Sequence, residues 1–306
     1  MSLEHYLTDP VNPNVCELFK SGARDTWARI FFSRKTPRLK IHETSVSQNL
    51  VYEMNLIKLK FPTLDFEIFE STNEKANGDD LEVTVRHADG EYYTYAIQSK
   101  IIYHRRSKGI ANLKEGYYKQ LKHWVGKGIG RKKQVDLLIE YATRHGFIPV
   151  YLLYNYVQKS FDPGIEPDLF GCTVIGARYL KAKHTSADGN LDDKVKFSDL
   201  HTANAFPWHE LVCVLPYLSK KDWEKRMLFE QQTAVDIQTT TTLQITDEWR
   251  PLDTSFPLIV SDEEKTAGNI IMEPNYSLLK GEPEEILRIF LPKYKIVVNP
   301  PKQSKP

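Results

Sequence analysis

Residues 78–102 read GDDLEVTVRHADGEYYTYAIQSKII. Within them Leu81, Val83 and Val85 alternate with Glu82, Thr84 and Arg86, the two-residue period of a strand with one apolar face. Asp89-Gly90 then supplies a hairpin turn, since glycine accepts the positive φ that tight antiparallel connections need. Tyr92 to Ile102 returns as an aromatic, β-branched strand. Two antiparallel strands are therefore predicted, entered through the Gly78-Asp79 turn.

The flanks decide what this hairpin packs against. Upstream, Val46, Leu50, Met54, Ile57 and Phe61 fall on one stripe of a helix predicted over Glu43 to Lys60, which Pro62 ends. Phe66 to Phe69 alternates weakly and reads as a further strand. Downstream, Leu113 to Val125 and Val135 to Thr143 read as helices separated by Gly126, Gly128 and Gly130. Pro149 to Tyr154 is a nearly continuous apolar run, as expected of a strand buried on both faces. The order helix, three strands, two helices, strand predicts an α/β fold with helices on a mixed central sheet.

The rest is arranged around that core. Residues 1–42 read as an N-terminal helical extension with a helix over Val15 to Phe32, and 43–219 as the core. A soft boundary near 220 precedes an α+β region, 220–306. Residues 169–180 fit a strand or a helix. Thr239 to Thr242 reads as a strand, Pro283 to Phe290 as a helix, and 300–306 as a frayed tail.

Composition narrows the class. The chain has 306 residues, 41% of them hydrophobic, with 41 Lys+Arg against 40 Asp+Glu. That excludes wholesale disorder and a uniformly basic coat, but not a local basic patch. Cys16, Cys172 and Cys213 form no C-x-x-C pair, so neither a disulfide scaffold nor a zinc ribbon is expected. No apolar run approaches a membrane span. The expectation is a soluble cytoplasmic protein with reduced thiols.

One constellation carries chemistry. Asp80 opens the first hairpin strand, and Gln98 and Lys100, two apart on the second, leave the same face. Glu43 begins the preceding helix close to its apolar stripe and so points toward the sheet, whereas Glu53 lies well off it. Asp80 and Glu43 are hard oxygen ligands of the kind Mg²⁺ takes, and the Gln98 carbonyl can stand where a second acid would. Lys100 is then placed to orient the attacking water or to stabilise charge on a phosphate. Such a set suits phosphodiester hydrolysis. The bland alternative makes Asp80 a turn residue, Glu43 a helix-start acid favoured by the dipole, and Gln98 and Lys100 solvent-facing.

At these residues the sequence resembles the PD-(D/E)XK, restriction-endonuclease-like nuclease superfamily, and within it an uncharacterised bacterial family with a Gln-x-Lys strand. The resemblance rests on Gly78-Asp79-Asp80-Leu81-Glu82, Gln98-Ser99-Lys100, Gln134-Val135-Asp136-Leu137-Leu138 and Pro149-Val150-Tyr151-Leu152-Leu153-Tyr154, with Glu43 as the helical acid. It spans about residues 40–215. It implies a restriction-endonuclease-like core and a Mg²⁺-dependent endonuclease, with Mn²⁺ as a substitute, of the kind found in restriction and anti-phage defence systems. A homodimer and other components of such a system are partners it would suit. Gln98 in place of an acid departs from the superfamily pattern and keeps a second reading open: a non-catalytic nucleic-acid-binding or effector-interaction protein on the same fold.

A separate feature points to a polyanion. Between Lys100 and Lys133 there are eleven Lys/Arg against the single Glu115, a local +10 that leaves −9 for the rest of a chain of net charge +1. Tyr103, Tyr117, Tyr118 and Trp124 are interleaved. The patch suits a nucleic-acid backbone, and the resemblance implies DNA more readily than RNA. The expected contacts are Arg105, Arg106, Lys108, Lys119, Lys122, Arg131, Lys132 and Gln134. Tyr141 reads as core and His123 as surface or packing. The alternative for the charge run is a solvated helix face.

Overall fold

In this computed structural model the described residues are 2–8, 13–36, 39–71, 81–104, 116–119, 121–125, 131–157, 163–185, 191, 194–201, 203–227, 239–243, 245–247, 249–252 and 293–299. Asp80, Arg105, Arg106, Lys108, the Gly126 to Gly130 loop, the helix expected over Pro283 to Phe290 and the 300–306 tail lie outside them.

The helices α1 (Leu3–Thr8), α2 (Val15–Lys35) and α3 (Glu43–Lys60) precede strands β1 (Phe66–Ser71), β2 (Leu81–Arg86) and β3 (Tyr92–Ile101). Two short ribbons follow: β4 (Tyr117–Tyr118), then β5 (Trp124–Val125) paired with β6 (Lys132–Lys133). Next come α4 (Gln134–His145), β7 (Ile148–Tyr154), a 3-10 turn at Pro167–Gly171, β8 (Cys172–Gly176), α5 (Ala177–Lys183), β9 (Val195–Lys196) and α6 (Phe197–Leu200). The chain continues through β10 (Phe206–Pro207), α7 (Glu210–Cys213), α8 (Lys220–Arg226), β11 (Trp249–Pro251) and β12 (Tyr294–Val298).

Eight strands form one mixed sheet in the order β10-β8-β7-β3-β2-β12-β1-β11. The β2–β3 hairpin is antiparallel and closes at Gly90, whose φ of 87° explains the glycine. β7 runs parallel to β3 and is buried along its whole length, as its apolar run requires. The α/β architecture with a mixed, helix-flanked sheet therefore stands as read.

Several elements differ from the sequence reading. β2 is buried on both faces except at Arg86, so its polar alternation does not mark a wet side. Glu82 is held there by the Tyr141 hydroxyl, 2.6 Å from its Oε1, and by the Lys295 ammonium, 3.0 Å from its Oε2. The described part of Leu113 to Val125 is not helical. Tyr117 and Tyr118 pair with Lys196 and Val195, far along the chain, and Trp124 and Val125 pair with Lys133 and Lys132 across a turn, so strand pairing overrides the helical reading. Residues 169–180 contain both elements, β8 and then α5. Thr240 makes only an isolated bridge to Tyr92, not a strand. The region after 220 joins the core: Trp223 is buried with its indole N–H on the Tyr95 hydroxyl, and β12 runs between β2 and β1.

The cysteines also differ from expectation. Cys16 at the start of α2 and Cys213 at the end of α7 form a disulfide, while Cys172 is a buried free thiol. Spacing in sequence does not reveal a pair 197 residues apart whose Cα atoms the fold brings to 5.4 Å. Both half-cystines are half-buried and line a cavity of about 440 Å³. Alkylating the denatured chain without reduction is expected to modify one thiol, and three after reduction. Reduction of the native protein is expected to lower Tm by roughly 5–10 °C. Three modified thiols before reduction would contradict the pairing.

Candidate active site

Lys100 and Gln98 are not solvent-facing residues of an amphipathic strand. They are 3% and 2% exposed near the C-terminal end of β3. Strand alternation puts both on the face that α4 covers, and Ser99 on the face that α3 covers. A buried lysine needs a partner, and Lys100 has one: its Nζ lies 3.3 Å from Oε1 of Glu43. Glu43 is the first residue of α3, so the ion pair links the two helical layers at this end of the sheet.

Local bonds hold the acid there. Ser47, one turn after Glu43, donates to the Glu43 carbonyl at 3.3 Å. Its Oγ is also 2.8 Å from the Tyr154 hydroxyl and 3.5 Å from the Ser99 hydroxyl. The start of α3 is thereby pinned to β3 and β7. Burial raises the Tyr154 phenol well above its ordinary value, so it stays protonated as a hydrogen-bonding strut. Glu53 instead pairs with Arg29 on α2, away from β3.

α4 fixes the amide. The Gln134 Nε2 donates to the Gln98 Oε1 at 2.6 Å, and Tyr141, seven residues further on the same helical stripe, reaches Glu82. Gln134 is thus beside the Gln-x-Lys strand, while Tyr141 is buried as expected. The Gln98 oxygen accepting from Gln134 keeps a second lone pair for another donor or a cation.

The expected contacts of the basic segment divide. Lys119 is exposed beyond β4. Lys122 is half-buried in the turn before β5. Arg131 is exposed, its guanidinium carbon 4.7 Å from the Trp124 ring centroid. Lys132 is engaged by Glu140 of α4 at 3.0 Å, an acid that the count from Lys100 to Lys133 did not include. Two residues near Lys100 were not singled out from sequence. His123 accepts the Gln134 backbone N–H through its carbonyl at 2.9 Å, and partial burial together with the Lys100 ammonium lowers its imidazole pKa. Arg34 of α2 donates to the Ile102 carbonyl at 2.8 Å, just beyond β3. Neither sits in a recognisable motif, because tertiary packing alone brings them here.

The donors here are oxygens, a carboxylate and an amide carbonyl, the set a hard cation prefers and not that of zinc. Among the described residues no group of three or more His, Cys, Asp and Glu is gathered as a metal centre. Glu43 and Gln98 supply two of the expected ligand side chains, and Asp80 lies outside the description. It directly precedes Leu81, whose ladder partner is Ile97, the neighbour of Gln98.

One protein family matches the chain, over residues 15–298: DUF6615, described as a family of unknown function. The chain belongs to DUF6615. No curated protein and no solved structure matches it. The DUF6615 match takes in every strand of the eight-stranded sheet, β12 included, together with Glu43, Gln98, Lys100 and Gln134.

Proposed function

We propose that this protein is a metal-dependent nuclease of the PD-(D/E)XK type, an endonuclease that hydrolyses phosphodiesters of DNA. The observation that carries the reading is the buried Lys100–Glu43 pair with Gln98 two residues along the same strand face. A lysine costs free energy to bury, and a purely structural strand end gains little from it over an apolar residue.

Asp80, Glu43 and Gln98 would hold Mg²⁺ or Mn²⁺. The ion, when bound, would stabilise negative charge on the scissile phosphate and lower the pKa of water. Lys100 presents its ammonium to the attacking water or to charge developing on the phosphate. Gln134 holds the Gln98 amide in orientation, and Ser47 with Tyr154 holds the start of α3 so that Glu43 faces the strand. With Gln98 neutral, one ligand charge fewer is present, so cation binding is expected to depend on bound substrate. Lys119, Lys122 and Arg131, with Arg105, Arg106 and Lys108, are offered to the backbone. A cytoplasmic role in restriction or anti-phage defence, as a homodimer or with other components, belongs to this proposal. Among the described residues no helix is long and apolar enough to cross a membrane.

The second reading, nucleic-acid binding without cleavage, draws on one observation: the Gln98 oxygen already accepts from Gln134. Supercoiled plasmid separates the two. Wild type is expected to nick or linearise it with Mg²⁺ or Mn²⁺ and not with EDTA. Lys100→Ala and Asp80→Ala are each expected to lower the rate by about 100-fold or more. Retained DNA binding with no cleavage in either metal would select the second reading.

A further inference from the structure

The ribbon that leads into α4 carries a feature that hydrolysis does not require. Trp124 on β5 is half-buried and flanked by two cations, the Arg131 guanidinium at 4.7 Å and the Lys133 ammonium at 5.5 Å from its ring centroid. Arg131 and Lys133 are two apart and share the Trp124 side of the ribbon, while Lys132 between them turns to Glu140. Among the described residues no carboxylate pairs with Arg131, and the sequence from Gly116 to Gln134 contains no acid at all.

The position of this cluster is fixed by the site. Trp124 pairs with Lys133, the residue immediately before α4, and the Gln134 N–H binds the His123 carbonyl at 2.9 Å. Gln134 in turn bonds Gln98. The indole with its two cations therefore adjoins the residues that position the Gln98–Lys100 strand.

We propose that Trp124, Arg131 and Lys133 form a stacking platform for an unpaired base of single-stranded DNA, the two cations taking the flanking phosphates. This rests on the nuclease reading of the Gln98–Lys100 site and names its substrate class. A duplex backbone is satisfied by cations alone and hides the base faces, whereas an aromatic ring gains stacking only from an unstacked base. Arg131, exposed and on a flexible stem, passes from the ring to a phosphate as the base enters. The exposed cation–π contact it gives up is weak.

The test is a titration of fluorescein-labelled oligothymidylate, and of a duplex of equal length, with the full chain in EDTA, so that binding is read without cleavage. Wild type is expected to bind the single strand about 10-fold or more tightly than the duplex, and Trp124→Ala to lose about 10-fold on the single strand with little change on the duplex. Trp124→Phe is expected to restore most of the loss. Trp124→Leu, apolar but without a π face, is expected to behave as Trp124→Ala and keeps the test valid if the alanine variant does not fold. Duplex bound as well as single strand, an equal loss on both, no loss, or no binding at all would each overturn the platform. Cleavage is scored separately, on the oligothymidylate and on plasmid with Mg²⁺ added, so a nuclease lacking this preference and a single-strand binder that does not cut are distinguishable.

Discussion

Gly171→Ala is expected to destabilise the protein by about 4 kcal/mol or more, to the point of lowering Tm by roughly 10 °C or abolishing soluble expression. Gly171 ends the 3-10 turn that packs against α2. A Cβ there would lie 1.9 Å from the Ala23 carbonyl oxygen and 2.9 Å from the Trp27 nitrogen. Both are backbone atoms of α2, which no rotamer change can move aside. The helix cannot simply slide away. The Trp208 indole N–H bonds the Phe19 carbonyl at 2.6 Å, the two rings pack at 4.4 Å, and the disulfide fixes the start of α2. Gly171 itself is held by the Asn155 N–H on its carbonyl at 2.9 Å. Gly90→Ala is the control: its φ of 87° disfavours alanine, but nothing stands within 4 Å, so about 1 kcal/mol is expected. Thermal unfolding followed by circular dichroism compares them, and equal Tm losses would contradict the close approach of the turn to α2.

Acid is expected to destabilise the protein from about pH 6.5 downward, before most of its carboxylates titrate. Besides His123, burial strongly lowers four histidines: His87, His104 and His209 to about 4, and His201 to about 3. For His104 the Arg34 charge adds to burial, and for His209 Lys20 does. His201 sits in a closed network, with the Thr173 hydroxyl 2.8 Å from its Nε2 and the Phe197 carbonyl 2.9 Å from its Nδ1. Thr173 is joined by Asn155, which also accepts from the Tyr118 hydroxyl at 2.5 Å. These pKa values lie below the unfolded value of 6.5, so the unfolded chain binds more protons between them. The contribution of these four histidines to stability is therefore complete above about pH 6.5 and is lost as pH falls toward 4. Discounted several-fold for local relaxation, each histidine still contributes about 1 kcal/mol, together about 4 of a typical 5–15 kcal/mol. Asp25 and Glu53, raised chiefly by burial, oppose this only nearer the carboxylate range. Urea midpoints from pH 7.5 down to 4.5 measure the effect. A flat profile across that window would show that these rings are hydrated in the native state.

The Gln98 and Lys100 side chains were legible because a strand has a period of two, and α3 was legible because its apolar residues repeat every three to four. Both are local rules. Asp80 was equally legible as a candidate, and its place lies outside the described residues. The basic segment was legible as charge but not as form. Whether Lys133 joins a ribbon or a helix depends on Trp124 across the turn, and whether Lys132 is free depends on Glu140 two turns into α4. The roles of His123, Arg34, Ser47 and Tyr154 around Lys100 arise from contacts between elements far apart in the chain.

By itself the amino-acid sequence determined the helix beginning at Glu43, the β2–β3 hairpin, the buried β7 strand, and hence an α/β protein with Gln98 and Lys100 on one face. Each follows from periodicity and turn chemistry within about twenty residues. Only the tertiary structure decided that this face is buried, because the apolar stripe of α4 must cover something and β3 is what it meets. It also decided that Lys100 faces Glu43, that Cys16 meets Cys213, and that β12 enters the sheet between β2 and β1. Those pairings join residues 57, 197 and more than 200 positions apart, and no local pattern encodes them.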